Sequence, residues 1–268
     1  MGRLPCRRKQ DERGNTGYHS LISGYCRVIK MEPAAIIKPP LFGTAADACR
    51  MFFDYGNDQL VNGHFPVDVV FIGDSITHMW EVQSYFGHLG HIVNRGISGD
   101  VAEIMIKRLE ADAVQLKPRI CVSLIGTNNI YAEGAQFNAV RELLLTNARQ
   151  LLEQLQQAAI LPVICSVLPV FGEDAAVTQM RNNWILQINQ ELSALCCRKA
   201  AVYADYHAKM TDSDGCTLRR TLSWDGVHPH SAGYACMASV LEPVLADLLK
   251  NDGKDKSNVV STACEKSF

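Results

Sequence analysis

Apolar and polar positions fall into blocks of two kinds along the chain. Val67–Ile72 (VDVVFI), Arg119–Ile125 (RICVSLI) and Leu161–Val167 are short apolar runs rich in β-branched residues, and each predicts a buried strand. His91–Val93 and Ala201–Tyr203 predict two shorter strands. Between these runs the apolar residues recur at steps of three and four. Phe137, Val140, Leu144, Leu151 and Leu155 do so across residues 137–159, broken only by the polar Asn147, and predict the clearest helix. Val101, Ile104, Met105 and Leu109 predict a helix over 101–110. Residues 45–59, 184–195 and 232–249 read as three more. Strands that alternate with helices imply βαβ units and a parallel sheet, and strands apolar throughout imply helices on both of its faces. The expected fold class is therefore α/β. In such a sheet ligands bind beyond the carboxyl ends of the strands.

Those strand ends carry the polar chemistry. Gly73-Asp74-Ser75 follows the first strand, and Asn94-Arg95-Gly96-Ile97-Ser98-Gly99-Asp100 follows the second. Gly126-Thr127-Asn128-Asn129 follows the third, and Trp224-Asp225-Gly226-Val227-His228-Pro229 precedes the last helix. Ser75 stands where a helix N-terminus favours developing negative charge, and a serine there also serves as a plain N-cap. Asp225 and His228 are spaced so that a tight turn lets the carboxylate accept from the imidazole Nδ1, leaving Nε2 to take a proton; an Asx-turn beside a surface histidine fits the same letters. His230 is a rival base, disfavoured by Pro229 and the longer reach from Asp225. Gly99 has no Cβ to block a reacting centre, and Asn128 offers side-chain N–H donors. His78 and Trp80 lie just beyond Ser75 and are candidate walls of a pocket there.

In this fixed order, Gly-Asp-Ser, Gly-x-Ser-Gly-Asp, Gly-Thr-Asn and Asp-x-x-His resemble the four signature blocks of the SGNH hydrolases, the GDSL esterases and lipases. The resemblance spans Val67 to Leu249. The stretches NRGISGD, GTNN and DGVHPHSAGY are most similar to the branch of platelet-activating-factor acetylhydrolase catalytic subunits and related bacterial esterases. It implies a flavodoxin-like three-layer α/β/α sandwich with a five-stranded parallel sheet, and no metal or organic cofactor. It implies Ser75 as nucleophile, His228 as base and Asp225 as its orienter, with the Ser75 amide, Gly99 and Asn128 forming an oxyanion hole. The substrate class it implies is a small-molecule carboxylic ester with a short, acetyl-type acyl group. An acyltransferase using the same site, or a binding homologue that has kept the fold, are the rival readings. One position departs from the pattern: Asn129 stands where many members carry Asp. A homodimer is expected from the resemblance alone.

Composition narrows the rest. The 268 residues are 47% hydrophobic and 20% charged, as globular domains are. A net charge of −2 gives no general positive field for nucleic acid. The ten cysteines include no C-x-x-C pair, and Cys121 and Cys165 lie within apolar runs. They read as mostly reduced thiols in a reducing compartment. There is no G-x-S-x-G elbow, no H-E-x-x-H and no Walker A loop. No uninterrupted apolar run approaches the ~18 residues of a membrane span. Residues 1–40 are polar, carry Arg3, Arg7, Arg8 and Lys9, and end in Lys38-Pro39-Pro40. They lack the apolar core of a signal peptide and are expected to be a disordered extension of a cytoplasmic enzyme. The domain is expected over 41–250, with a polar tail over 251–268.

Overall fold

The structure is a computed structural model, and it describes residues 34–44 and 46–250. The expectations for residues 1–33 and 251–268 lie outside the described residues.

Five parallel strands form one sheet in the order β2-β1-β3-β4-β5. They are β1 (Val69–Gly73), β2 (Ile92–Gly96), β3 (Ile120–Leu124), β4 (Leu161–Cys165) and β5 (Val202–Ala204). Around them lie α1 (Ala46–Asn62), α2 (Ser75–His78), α3 (Val82–Phe86), α4 (Ala102–Asp112), α5 (Thr127–Tyr131), α6 (Phe137–Gln157), α7 (Ala175–Arg198), α8 (Tyr206–Met210) and α9 (Ser231–Lys250). All of these elements belong to one compact unit that begins at Ala35. Alternate residues of β1 serve opposite cores. Val69 and Phe71 pack with Trp80, Phe86 and the α9 residues Met237, Leu241 and Leu245. Val70 and Ile72 pack with Met105 and Leu109 of α4 and Leu151, Leu152 and Leu155 of α6. Helices α2, α3, α8 and α9 thus cover one face, and α4, α6 and α7 the other. The chain runs from β1 outward to β2, then back past β1 to β3. This strand order places the switch point, where open sheets of this kind bind ligands, between β1 and β3.

Two elements extend beyond what their apolar spacing predicts, for one reason: polar side chains on buried faces. Helix α7 begins at Ala175 instead of near Trp184, with Asp174 capping it by accepting from Val177 N at 3.0 Å. Its buried stripe includes Asn182 and Asn189. Asn182 bonds both the N–H and the C=O of Val170, at 2.9 and 2.8 Å, and Asn189 does the same to Val167, at 2.8 Å each. Two amides, two helical turns apart, therefore satisfy the buried backbone of the segment after β4. Strand β2 likewise continues through Asn94 and Arg95, whose polarity masks it.

Helix α9 is 20 residues long, with a mean hydropathy of 1.3 over its most apolar stretch. By length and composition it could cross a membrane, although Glu242 and Asp247 interrupt its apolar run. In this fold Met237, Leu241 and Leu245 are fully buried against the sheet.

Among the described residues, six cysteines are free thiols and Cys197 is in a disulfide. The expectation of mostly reduced thiols holds among the described residues, with Cys197 the exception; bond partners cannot be read from sequence spacing. Burial pushes the thiols of Cys121, Cys165 and Cys196 up to about 12, so they stay neutral.

Candidate active site

Helix α2 opens directly after β1, and its cap decides what Ser75 is free to do. Asp74, in extended backbone, accepts from Ile76 N at 3.0 Å. Capping is the work of Asp74, so Ser75 is the first helical residue and its hydroxyl is available. Ser75 Oγ lies 2.9 Å from His228 Nε2, across 153 residues of sequence. His228 Nδ1 lies 2.7 Å from Asp225 Oδ2. An ionised carboxylate only accepts, so Nδ1 carries the hydrogen and Nε2 presents a lone pair to the Ser75 hydroxyl.

The turn 225–228 is built to hold that ring. Asp225 Oδ1 accepts from the N–H groups of Val227 and His228, at 2.9 and 2.8 Å. Ser223 Oγ accepts from Gly226 N at 3.0 Å and lies 2.7 Å from the His228 carbonyl. Gly226 has φ +84°, and a Cβ there would fall 2.0 Å from the Phe171 carbonyl oxygen. Only glycine closes this turn against the segment after β4. Burial works to raise the Asp225 carboxyl, but its hydrogen bonds with the His228 ring and with the His228 and Val227 amides outweigh it. The carboxyl is held well below the usual range and stays charged.

The candidate oxyanion donors converge on the same edge. The Ser75 N–H is in a first helical turn, where no intrahelical carbonyl is available to it. Gly99 adopts φ +82°, with open space where a Cβ would project. Backbone conformation, rather than a close neighbour, is what requires glycine there. Asn128 donates one side-chain N–H to the Asp100 carbonyl at 2.8 Å, which leaves its second N–H to point elsewhere. All five residues singled out from the sequence, Ser75, Gly99, Asn128, Asp225 and His228, thus lie on the carboxyl edge around the switch point.

Asn129, the departure from the family pattern, has a structural use. Its Oδ1 accepts from Ala102 N at 3.1 Å and its Nδ2 donates to Glu103 Oε2 at 2.8 Å. A carboxylate could not make that donation and would face Glu103 with like charge.

Trp80 faces the core and not the site, whereas His78 lies beside the Gly99 turn, its Nδ1 2.9 Å from Ser98 Oγ. Trp80 is 3% exposed, stacked on Tyr234 at 5.4 Å and edge-on to Phe71 and Phe86. With Phe53, Ile92, Asn94 and Gly96 they border a cleft of about 240 Å³ that contains none of the five residues. His230 is not a base for Ser75: its Nδ1 accepts from Ala232 N at 3.2 Å and its ring lies 5.0 Å from that of Trp224. Tyr234, the last residue of the stretch DGVHPHSAGY, has a role that the motif itself does not reveal. Its hydroxyl donates to the Ile76 carbonyl at 2.8 Å and ties α9 to the helix that carries Ser75. Among the described residues no cluster of three His, Cys, Asp or Glu side chains is placed to share a metal.

The chain and its fold have counterparts among known proteins. The model of the GDSL-like lipase/acylhydrolase family matches residues 71–236. An acetylxylan esterase from Geobacillus stearothermophilus is 24% identical over 197 residues, covering 63% of this chain and 90% of that protein. The structure of a candidate acylhydrolase from Bacteroides fragilis superposes with a TM-score of 0.64 at 23% identity, over 77% of this chain and 99% of that one. A candidate platelet-activating-factor protein from Streptococcus pneumonia superposes with a TM-score of 0.60 at 24% identity, over 75% and 100%.

Proposed function

The chain belongs to the GDSL-like lipase/acylhydrolase family, and with it to the carboxylic ester hydrolases, and from that premise we propose a serine acyl-enzyme mechanism on short acyl esters. The observation that carries this reading is the continuous chain Ser75–His228–Asp225, with contacts of 2.9 and 2.7 Å. His228 Nε2 takes the Ser75 proton as Oγ attacks the ester carbonyl. The carbonyl oxygen, now an anion, accepts from the amides of Ser75 and Gly99 and from the second N–H of Asn128. The intermediate collapses, and the alcohol leaves with the proton held by His228. Water then attacks the acyl-enzyme, passes a proton to His228, and releases the acid and the free serine. Asp225 stays charged throughout and steadies the imidazolium. The acetyl-sized acyl group rests on likeness to the acetylxylan esterase.

The test is turnover of p-nitrophenyl esters from C2 to C12, with a fluorophosphonate probe and peptide mapping of its adduct. Fastest turnover at C2 and a probe displaced onto Ser75 Oγ with loss of fluoride are expected. No turnover at any length by folded, unlabelled protein would overturn the reading. Adding a competing alcohol separates hydrolysis from acyl transfer, since a transferase would yield the new ester in preference to the acid.

Asn128→Ala removes one oxyanion donor and should lower kcat about 10²–10³-fold with little change in KM. A kcat within threefold of wild type would remove Asn128 from the hole.

A further inference from the structure

Behind the site lies a buried charge cluster that the ester chemistry does not use directly. Arg108 of α4 is fully buried. Its Nη2 donates to the Gly73 carbonyl at 3.0 Å, two residues before Ser75. Its Nη1 donates to the Arg95 carbonyl and to Asp112 Oδ2, each at 2.8 Å. Its Nε donates to Asp100 Oδ2 at 2.6 Å. Asp100 directly follows Gly99, and its carbonyl anchors Asn128. One guanidinium therefore fixes the end of β1, the end of β2 and the turn between β2 and α4. Each of the three proposed oxyanion donors sits within two residues, or one hydrogen bond, of a group that Arg108 holds.

The cluster is closed from the far side by α1, which precedes the residues matched by the family model. Arg50 shares Asp112 with Arg108, and its Nη2 bonds Asp54 at 2.8 Å. Asn57, fully buried, accepts from Arg95 Nε and Nη2 at 3.1 and 2.8 Å and donates to the Ala111 carbonyl at 2.9 Å. Two guanidinium groups, Arg50 and Arg108, thus pair with three carboxylates, Asp54, Asp100 and Asp112, and Asn57 holds the third, Arg95. A buried pair of this kind gives little net stability against an apolar replacement, whereas its directional bonds fix geometry.

We infer that Arg108 is the positioning residue of the oxyanion hole, holding the Ser75, Gly99 and Asn128 donors in register, with Arg50 and Asn57 of α1 as its support. This rests on the serine esterase reading above. Lysine at 108 would keep the charge but not the three directions of the fork. A donor displaced by about 1 Å costs on the order of 10² in rate. Arg108→Lys should therefore lower kcat by about 10–10²-fold, with KM within about threefold.

A second measurement reads the hole without turnover. Phenylboronic acid bonds to the serine Oγ as a tetrahedral anion whose oxygen occupies the hole, the serine proton passing to His228, and its affinity should fall in parallel with kcat. A purely structural role would lower the unfolding temperature or the yield and leave both values of the folded enzyme unchanged. Near-UV circular dichroism establishes folding in each case. Should Arg108→Lys not fold, Asp100→Asn keeps the carbonyl that Asn128 uses and removes the ionic tie to Arg108. The same joint fall in kcat and boronate affinity is then expected. A folded variant with wild-type kcat and boronate affinity overturns the role of Arg108. A wild type that neither hydrolyses esters nor binds the boronate overturns the esterase reading itself.

Discussion

Asp225→Asn should lower kcat for p-nitrophenyl acetate by about 10⁴-fold while leaving the fold intact. The carboxylate does two jobs with two oxygens. Oδ1 accepts from the Val227 and His228 amides, and Oδ2 faces His228 Nδ1. An asparagine would keep its oxygen on the two amides, because only the oxygen can accept from them. Its NH₂ group would then face Nδ1 and donate to it. His228 would be driven to the other tautomer, with the proton on Nε2 pointing at Ser75, so the serine would meet a donor where it needs an acceptor. The imidazolium formed during attack would also lose its counter-charge. Steady-state kinetics on protein with an unchanged unfolding temperature makes the check. A loss of less than tenfold would show that Asp225 does not set the tautomer.

Asp74→Asn should stabilise the protein at alkaline pH, and the gain should grow with pH across a defined window. The Asp74 carboxyl is fully buried, and its Oδ2 has no partner. Burial raises it from 3.8 to about 7, opposed by the Ile76 N–H bond and the charge of His228. Between these values the folded chain holds a proton that the unfolded chain has released. The contribution of Asp74 to stability must then fall as pH rises from about 4 to about 7. Three units at 1.36 kcal/mol each set an upper size of about 4 kcal/mol. Asparagine is neutral throughout and still caps α2 through its oxygen. The lowered carboxyl of Asp225 works in the opposite sense, but its contribution is complete above 3.8 and is lost only in strong acid. It does not slope in this window. Urea unfolding of both proteins from pH 4 to 8.5 provides the measurement. A difference in stability that does not change with pH would mean that Asp74 is ionised in the folded state at every pH tested.

The local letters of the chain determined a large part of this protein. Val69–Ile72 and Ile120–Leu124 are apolar at every position but Ser123, and so short a run, rich in β-branched residues, points to a strand covered on both sides. The five-stranded parallel sheet follows from such runs alternating with helical spacing. Ser75, Gly99, Asn128, Asp225 and His228 could be singled out because each sits in, or directly after, a short turn whose residue types are restricted: a φ of +82° at Gly99, a closed turn at Gly226. Asp225 and His228 are three residues apart, so their contact is local and could be read from spacing.

Contacts across long sequence separation were decided only by the tertiary structure. Nothing near residue 108 signals that its guanidinium bonds Gly73, Arg95 and Asp100, and the apolar spacing of α4 simply passes over it. The beginning of α7 was hidden because Asn182 and Asn189 are buried yet polar, and their partners are backbone groups of a segment folded back from β4. Trp80 is a candidate wall of the site by its nearness to Ser75 in sequence, but the chain leaving α2 carries it into the aromatic core. The same cause lies behind each case. Periodicity records which side of an element meets the core, and short motifs record local turns. Which distant partner satisfies a buried polar group depends on how the elements pack, and that information is spread over the whole chain.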